Sequence, residues 1–237
     1  MRASAVLGRL YQYEFVKNIK GLLRPVKHSL FGKSGVYRAI DEVQKLLGGA
    51  DKVRVVFDVG AAIGEYTVHF LRAFPNAVVY CFEPLPESFA KLVKRTVPYA
   101  GRVRLFPYGL HDHEGQLTLY VPPHPDGSSF FDKKGGSSKK ITVRVRRLDD
   151  VVREEGISRI DFMKVDVEGT EKEVLAGGKQ TVAETVASAF IEIQPQFKGF
   201  HSRDHLAVFN QLADAGFGWG GCYHDDYFFS KLFPRSL

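Results

Sequence analysis

The sequence predicts an α/β protein: a doubly wound, mostly parallel sheet with an antiparallel hairpin at its C-terminal edge and a second β-hairpin inserted midway. Three observations lead there. An apolar, β-branched run ending at Asp58 passes through Gly60 and Gly64 into an amphipathic segment starting near Glu65, which reads as strand, tight turn and helix. Strand and helix patterns then alternate through residue 106, the rhythm of a parallel sheet. Further on, two stretches that alternate apolar and polar residues interrupt it, as half-buried strands do.

Ser34 is placed to cap a helix in which Tyr37, Ile40, Val43, Leu46 and Leu47 share a face, and Gly48-Gly49 ends it. The first core strand covers 53–59. Tyr66, Phe70 and Phe74 recur every four residues in the next helix, which Pro75-Asn76 stops. The second strand covers 77–83, and Pro84 and Pro86 break it and open a helix with Phe89, Leu92 and Val93 inward. The third strand covers 103–106. Residues 116–121 and 141–145 form the inserted hairpin, and the Pro-, Gly-, Ser- and Lys-rich stretch 122–140 between them reads as a long mobile tip, a lid over a substrate. Then come a helix at 148–155, a strand at 160–166, a helix at 170–176 closed by Gly177-Gly178, and a strand at 189–193. A helix over 204–215 and two aromatic-rich strands, 217–223 and 227–233, complete the chain; their closeness makes them an antiparallel edge hairpin.

The 237 residues suit one decorated α/β domain, and 44% hydrophobic with 25% charged residues is an ordinary globular balance. No apolar run approaches the ~20 residues that cross a bilayer. Cys81 and Cys222 lie in apolar strand-like runs without partners at metal-ligand spacing, so buried thiols in a reducing, cytoplasmic setting are expected rather than a zinc site. The net charge of +6 is carried by residues 1–34, where Arg2, Arg9, Lys17, Lys20, Arg24, Lys27 and Lys33 face Glu14 alone. Leu7, Leu10, Phe15, Val16, Ile19, Leu22, Leu23 and Val26 recur there at roughly helical spacing. This basic amphipathic appendage suits an anionic membrane surface, self-association, or packing on its own domain. Residues 35–237 carry no such excess and read as the catalytic domain, without a nucleic-acid partner.

In open α/β sheets ligands collect beyond the carboxyl ends of the strands, where Asp58, Glu83, Asp166 and Glu192 stand. Glu83, about twenty residues after the glycine turn, is placed to accept hydrogen bonds from both hydroxyls of a ribose. The turn departs from Gly-x-Gly-x-x-Gly at Ala62 and Glu65, and Asp58 would sit close to a pyrophosphate. An acid there suits a cofactor with positive charge and no phosphates. S-adenosylmethionine, with its sulfonium, ammonium and ribose, fits better than a nicotinamide dinucleotide.

By strand alternation Phe162, Lys164 and Asp166 face one way, so Lys164 can pair with a carboxylate below the site while Asp166 and Glu168 stand at its mouth. Glu171 reads as an acid favouring a helix N-terminus. His111-Asp112-His113-Glu114 and His201-Ser202-Arg203-Asp204-His205 lack the glutamate of His-Glu-x-x-His and read as solvated histidines. Asp166, Glu168 or Glu192 could hold a divalent cation through oxygen, but no metal is predicted.

Four stretches resemble the FkbM family of S-adenosylmethionine-dependent methyltransferases: Phe57-Asp58-Val59-Gly60-Ala61-Ala62-Ile63-Gly64-Glu65-Tyr66-Thr67, Phe82-Glu83-Pro84, Leu148-Asp149-Asp150, and Lys164-Val165-Asp166-Val167-Glu168-Gly169-Thr170-Glu171 with Val174-Leu175-Ala176-Gly177-Gly178. They run in order between residues 53 and 193, and Lys-x-Asp-x-Glu-Gly is the most specific. The resemblance implies a class I methyltransferase (Rossmann-like) fold and O-methylation of a hydroxyl on a carbohydrate, glycan or glycosylated natural product. Ala62 stands where the family commonly has asparagine, a change that leaves the turn intact. By this similarity S-adenosylmethionine is held by Asp58, Gly60, Ala61, Ile63, Gly64, Tyr66 and Thr67, by Glu83 and Pro84 at the ribose, by Gly109, Leu110 and Asp112 at the adenine, and by Asp166. Asp166, Glu168 and Glu192 are the catalytic candidates. Two rival readings are an RNA methyltransferase, suggested by Lys133-Lys134, Lys139-Lys140, Arg144, Arg146 and Arg147, and a non-catalytic, membrane-peripheral scaffold that binds the cofactor. Against RNA, Asp-Val-Glu-Gly stands where an Asn-Pro-Pro-Tyr-like amide loop would be.

Overall fold

Seven strands line up in the order β3-β2-β1-β7-β8-β10-β9. They are β1 (Val55–Val59), β2 (Val78–Phe82), β3 (Val103–Phe106), β7 (Ile160–Val165), β8 (Val186–Glu192), β9 (Gly218–Tyr223) and β10 (Asp226–Ser230). The chain divides into residues 1–33 and 34–237. The computed structural model describes 35–123, 128–131, 139–193, 202–223 and 225–233, all in the second unit. The basic appendage, Ser34 and His201 lie outside the described residues, as do 124–127 and 132–138 of the hairpin tip.

All neighbours from β3 to β8 pair in parallel, whereas β10 runs antiparallel to both β8 and β9. The expected edge hairpin is therefore present, with its second strand inserted next to β8. Central strands of a parallel sheet are covered on both faces, so their sequences read as continuous apolar runs; every residue of β7 is buried.

One face packs Phe162, Phe190 and Phe228 of the sheet against α1 (Gly35–Leu47), α2 (Glu65–Ala73) and Leu92 of α3 (Pro86–Thr96). The other packs Phe57, Met163 and Ile191 against α4 (Leu148–Glu154), α5 (Glu171–Gly177), α6 (Lys179–Glu184) and α7 (Ser202–Asp214). Two features depart from the sequence expectation. Val93 is exposed, because α3 turns only the side bearing Ser88, Leu92 and Thr96 inward. Gly177-Gly178 closes α5 as expected, but a separate helix that the sequence reading did not include, α6, follows at once; a Cβ on Gly177 would lie 2.0 Å from the His111 carbonyl oxygen, so close packing also accounts for that glycine.

The inserted hairpin pairs β5 (Gly115–Val121) antiparallel to β6 (Lys139–Arg146), from Gly115 opposite Val145 to Val121 opposite Lys139. A two-residue strand, β4 (Gly109–Leu110), adds to β6 in parallel and makes a second, three-stranded sheet. The chain beyond β5 folds back, with Ser129 and Tyr120 exchanging backbone hydrogen bonds of 2.8 and 3.1 Å. The described part of the tip is thereby brought to the carboxyl end of the large sheet.

Candidate functional site

The turn after β1 is fixed from two sides. Gly60 and Ala61 both donate N–H to the Phe82 carbonyl at 3.0 Å, and Asp166 N–H donates to the Val59 carbonyl at 3.0 Å. At Gly60 φ is +79° and a Cβ would lie 1.8 Å from the Asp166 carbonyl oxygen. Only glycine lets the exits of β1 and β7 approach this closely. Gly64, at φ 83°, caps α2, and Ala62 between them takes a left-handed φ of 47°.

Glu83 is locked beside this turn. Its Oε2 accepts from Ala62 N–H and its Oε1 from Leu85 N–H, both at 2.8 Å. Burial nevertheless pushes its carboxyl up to about 7, against the pull of those two N–H groups. A cavity opens here at the carboxyl ends of the strands, bounded by Gly60, Ala62, Glu83 and Pro84 on one side and Gly109 and Leu110 on another. Phe82, Leu119 and Phe130 give it apolar walls, and Asp166 and Glu168 close it. Of the predicted cofactor set, Gly60, Glu83, Pro84, Gly109, Leu110 and Asp166 meet at this one cavity.

The rest of that set lies off it. Ala61 and Gly64 are buried and Ile63 is half-buried within the turn. Thr67 on α2 donates its hydroxyl to Asp58 Oδ2 at 2.6 Å. Asp58 is fully buried and its Oδ1 has no hydrogen-bond partner. Burial raises its carboxyl above the usual range, while the Lys164 ammonium and the Thr67 hydroxyl pull it down. Asp112 is exposed, and its Oδ1 lies 2.7 Å from Nδ1 of both His111 and His113. These three side chains are the one group among the described residues with metal-compatible spacing, but the two imidazole–carboxylate hydrogen bonds account for it without an ion.

On the other side of Asp166 the rim becomes acidic. Lys164 donates to Asp166 Oδ2 at 2.9 Å and lies 4.7 Å from the centroid of the Tyr66 ring. Burial works against its charge, but the Asp166 and Asp58 carboxylates outweigh that and hold the ammonium in place. Val165 pairs with Ile191, so Asp166, one residue on, comes beside Glu192; Glu192 in turn pairs with Asp226. Registered partners point to the same face. Asp166, Glu192 and Asp226 therefore form a row across three adjacent strands, one step above Lys164, Phe190 and Phe228.

Two residues of the site were missed in the sequence. Asp226 falls between the two strands expected at 217–223 and 227–233, and only the register with Glu192 reveals its place. Glu171 is more than a helix-start acid: its Oε1 accepts from Val167 N–H at 3.3 Å and Gly169 N–H at 3.0 Å, tying down the loop that carries Glu168. Burial pushes this carboxyl up to about 7. Within the loop Glu168 has φ 60°, and its carbonyl accepts the Ser129 hydroxyl at 2.7 Å. Non-glycine residues held in this region collect where function requires them.

The family model for the methyltransferase FkbM domain covers residues 58–218, which includes the cavity and Asp166 and Glu192 of the acidic row and ends before Asp226. A 2-O-methyltransferase, NoeI, of Sinorhizobium fredii is 28% identical over 195 residues, covering 76% of this chain and 79% of its own. A hexuronic acid methyltransferase, AglP, of Haloferax volcanii is 31% identical over 137 residues, covering 58% of this chain and 55% of its own. Among solved structures, a protein described as a putative rRNA-methylase from Clostridium thermocellum superposes with a TM-score of 0.51 at 11% identity, over 84% of this chain and 96% of that one, a likeness of fold alone. The glycine turn, the Glu83 cavity and the Lys-x-Asp-x-Glu-Gly strand end, with a family match over more than half of its length, make this chain a member of the FkbM family of S-adenosylmethionine-dependent methyltransferases.

Proposed function

We propose that this protein transfers a methyl group to a hydroxyl of a carbohydrate, a glycan or a glycosylated natural product. The observation that carries this is the contact at Asp166 between two unlike compartments, a partly apolar cavity beside Glu83 and a row of carboxylates. The first suits the methyl donor. Glu83, held rigid by two N–H groups, is suited to a ribose diol; Gly109, Leu110, Phe82 and Phe130 suit an adenine; and the turn at Gly60 suits the methionine part. Asp58, buried with an unpartnered oxygen, supplies negative charge behind the turn, which fits a cofactor that brings a sulfonium and an ammonium rather than phosphates. Bound there, S-adenosylmethionine supplies an electrophilic methyl.

The second compartment suits the acceptor. Carboxylates are acceptor-only groups that orient hydroxyl donors, and positioning accounts for much of the rate of such a transfer. The relatives support an oxygen acceptor on a sugar, since one is a 2-O-methyltransferase and another acts on a hexuronic acid. An RNA acceptor is disfavoured because the rim presents Asp166, Glu168, Glu192 and Asp226 where phosphates would need cations. The basic residues of 1–34 are proposed to meet an anionic surface or a second copy, apart from methyl transfer.

Calorimetry with S-adenosylhomocysteine, followed by incubation of a glycan extract with isotopically labelled methyl donor, tests the proposal. Expected are saturable binding and label in a sugar O-methyl group; label found only in RNA would overturn it.

A further inference from the structure

Resting on the carbohydrate-hydroxyl reading above, we propose that Asp226 is the general base that receives the proton of the acceptor hydroxyl. Three observations lead to it. Asp226 opens β10 directly opposite Glu192, which sets it in the row that begins at the cavity-lining Asp166. The residue is half-buried rather than sealed in the core. Among the described residues no hydrogen bond or ion pair engages that carboxylate, whereas Asp166 already accepts from Lys164.

Two like charges directly opposite on neighbouring strands are destabilising. The register nevertheless keeps Asp226 opposite Glu192 at the strand end that carries Asp166. The groups facing Asp226 are Lys164 on β7 and Asp166 just beyond its end, Glu192 on β8, Tyr66 on α2 and its own neighbour Asp225. Burial, then the Asp166 carboxylate, raise it, and Lys164 partly offsets them, leaving the carboxyl at about 7. A base is most effective when it titrates near the working pH.

The bookkeeping of the step is complete without another reactant. The acceptor oxygen bonds to the methyl carbon as the carbon–sulfur bond breaks and leaves its electron pair on sulfur. The hydroxyl proton passes to the Asp226 carboxylate, which returns it to water.

The test uses the full chain at saturating S-adenosylmethionine, so that titration of Glu83 in cofactor binding does not enter kcat. The probes are methyl glycosides of neutral hexoses, 6-deoxyhexoses and hexuronates. For the wild type, kcat rises with pH and levels off above about 7, the value at which Asp226 loses its proton. Asp226→Asn lowers kcat by at least about 100-fold and removes that rise, with S-adenosylhomocysteine affinity within about threefold of wild type. Asp226→Glu recovers part of the rate and shifts the rise. A variant Asp226→Asn that keeps kcat within about threefold, or keeps the pH limb, overturns the proposal and leaves the acceptor reading standing. Should Asp226→Asn fail to fold, Asp226→Glu decides: a displaced limb supports the assignment and an unmoved one overturns it. A wild type that binds S-adenosylhomocysteine yet methylates none of the glycosides overturns the acceptor reading, and this assignment with it.

Discussion

Ala62 exemplifies how one residue can report on backbone rather than contact. Its φ of 47° lies in the left-handed region, which costs a residue with a Cβ roughly 1 kcal/mol and which asparagine enters more readily. Asparagine, which the resemblance implies at this position in the FkbM family, suits this conformation, and it is the Ala62 N–H that Glu83 uses. Ala62→Asn and Ala62→Gly are each expected to raise the melting temperature, by up to about 1 kcal/mol of stability, with S-adenosylhomocysteine affinity within about threefold. An unchanged or lower melting temperature in both would contradict this account. Glu83 gives the complementary case, where the side chain is the point. In its proposed ribose role the ionised carboxylate accepts two hydroxyls, so affinity for S-adenosylhomocysteine climbs as pH rises towards about 7 and then levels off. Glu83→Gln removes the charge and one acceptor. It is expected to weaken binding about 10- to 100-fold, the worth of charge-assisted hydrogen bonds, and to abolish the climb in a calorimetric pH series.

At the scale of elements the site is the place where two strand exits touch, and the loop after β7 is held there by Glu171. Removing that carboxylate leaves Val167 and Gly169 N–H groups without their acceptor. Glu171→Ala is therefore expected to cost about 2 kcal/mol and to lower kcat more than it weakens S-adenosylhomocysteine binding, because the loop carries Glu168 while Glu83 is fixed elsewhere. Urea unfolding and steady-state kinetics read the two effects separately; equal losses in kcat and cofactor affinity would contradict the division. The strand ends at Asp58 and Glu83 were legible because β-branched runs stop there at an acid or a proline. The Asp166–Glu168 segment was legible because its acids follow a buried strand. What could not be read was whatever depends on partners distant in sequence. β4 is two residues long and has no periodicity to detect, and it exists because β6 offers it an edge. Val93 lies one position from Leu92 on α3, and only the angle at which that helix meets the sheet decides which of them is covered. At Gly60 the neighbour that excludes a Cβ is the protein's own backbone, the Asp166 carbonyl, which no local sequence pattern announces.

For the whole molecule, the price of concentrating acids at one end of the sheet should appear as a pH dependence of stability. Glu83, Glu171 and Asp226 are each raised to about 7 in the folded chain, from 4.5, 4.5 and 3.8, chiefly by burial. A carboxyl raised on folding binds its proton more tightly in the native state than in the unfolded one. Its favourable contribution is thus complete below the unfolded value and is lost as pH rises through the folded value. All three act in the same sense, and the buried Asp58 shifts in the same direction. Exposed Asp112 and Glu154 shift the other way, with little weight because solvent screens them. The melting temperature of the cofactor-free protein is accordingly expected to fall between pH 5 and pH 7.5 and then to flatten, the reverse of a protein stabilised by surface ion pairs. Glu83→Gln and Asp226→Asn should each flatten part of that decline, and together they should remove more of it than either alone. Saturating S-adenosylhomocysteine should counter it most at the higher pH, where Glu83 is ionised and able to accept from the ribose. Differential scanning fluorimetry across this range tests the three statements together. A melting temperature that rises with pH in the absence of ligand would mean that the acids at the carboxyl end of the sheet are ionised at no cost. The row of Asp166, Glu192 and Asp226 would then lack the proton-accepting asymmetry on which the assignment of a base depends.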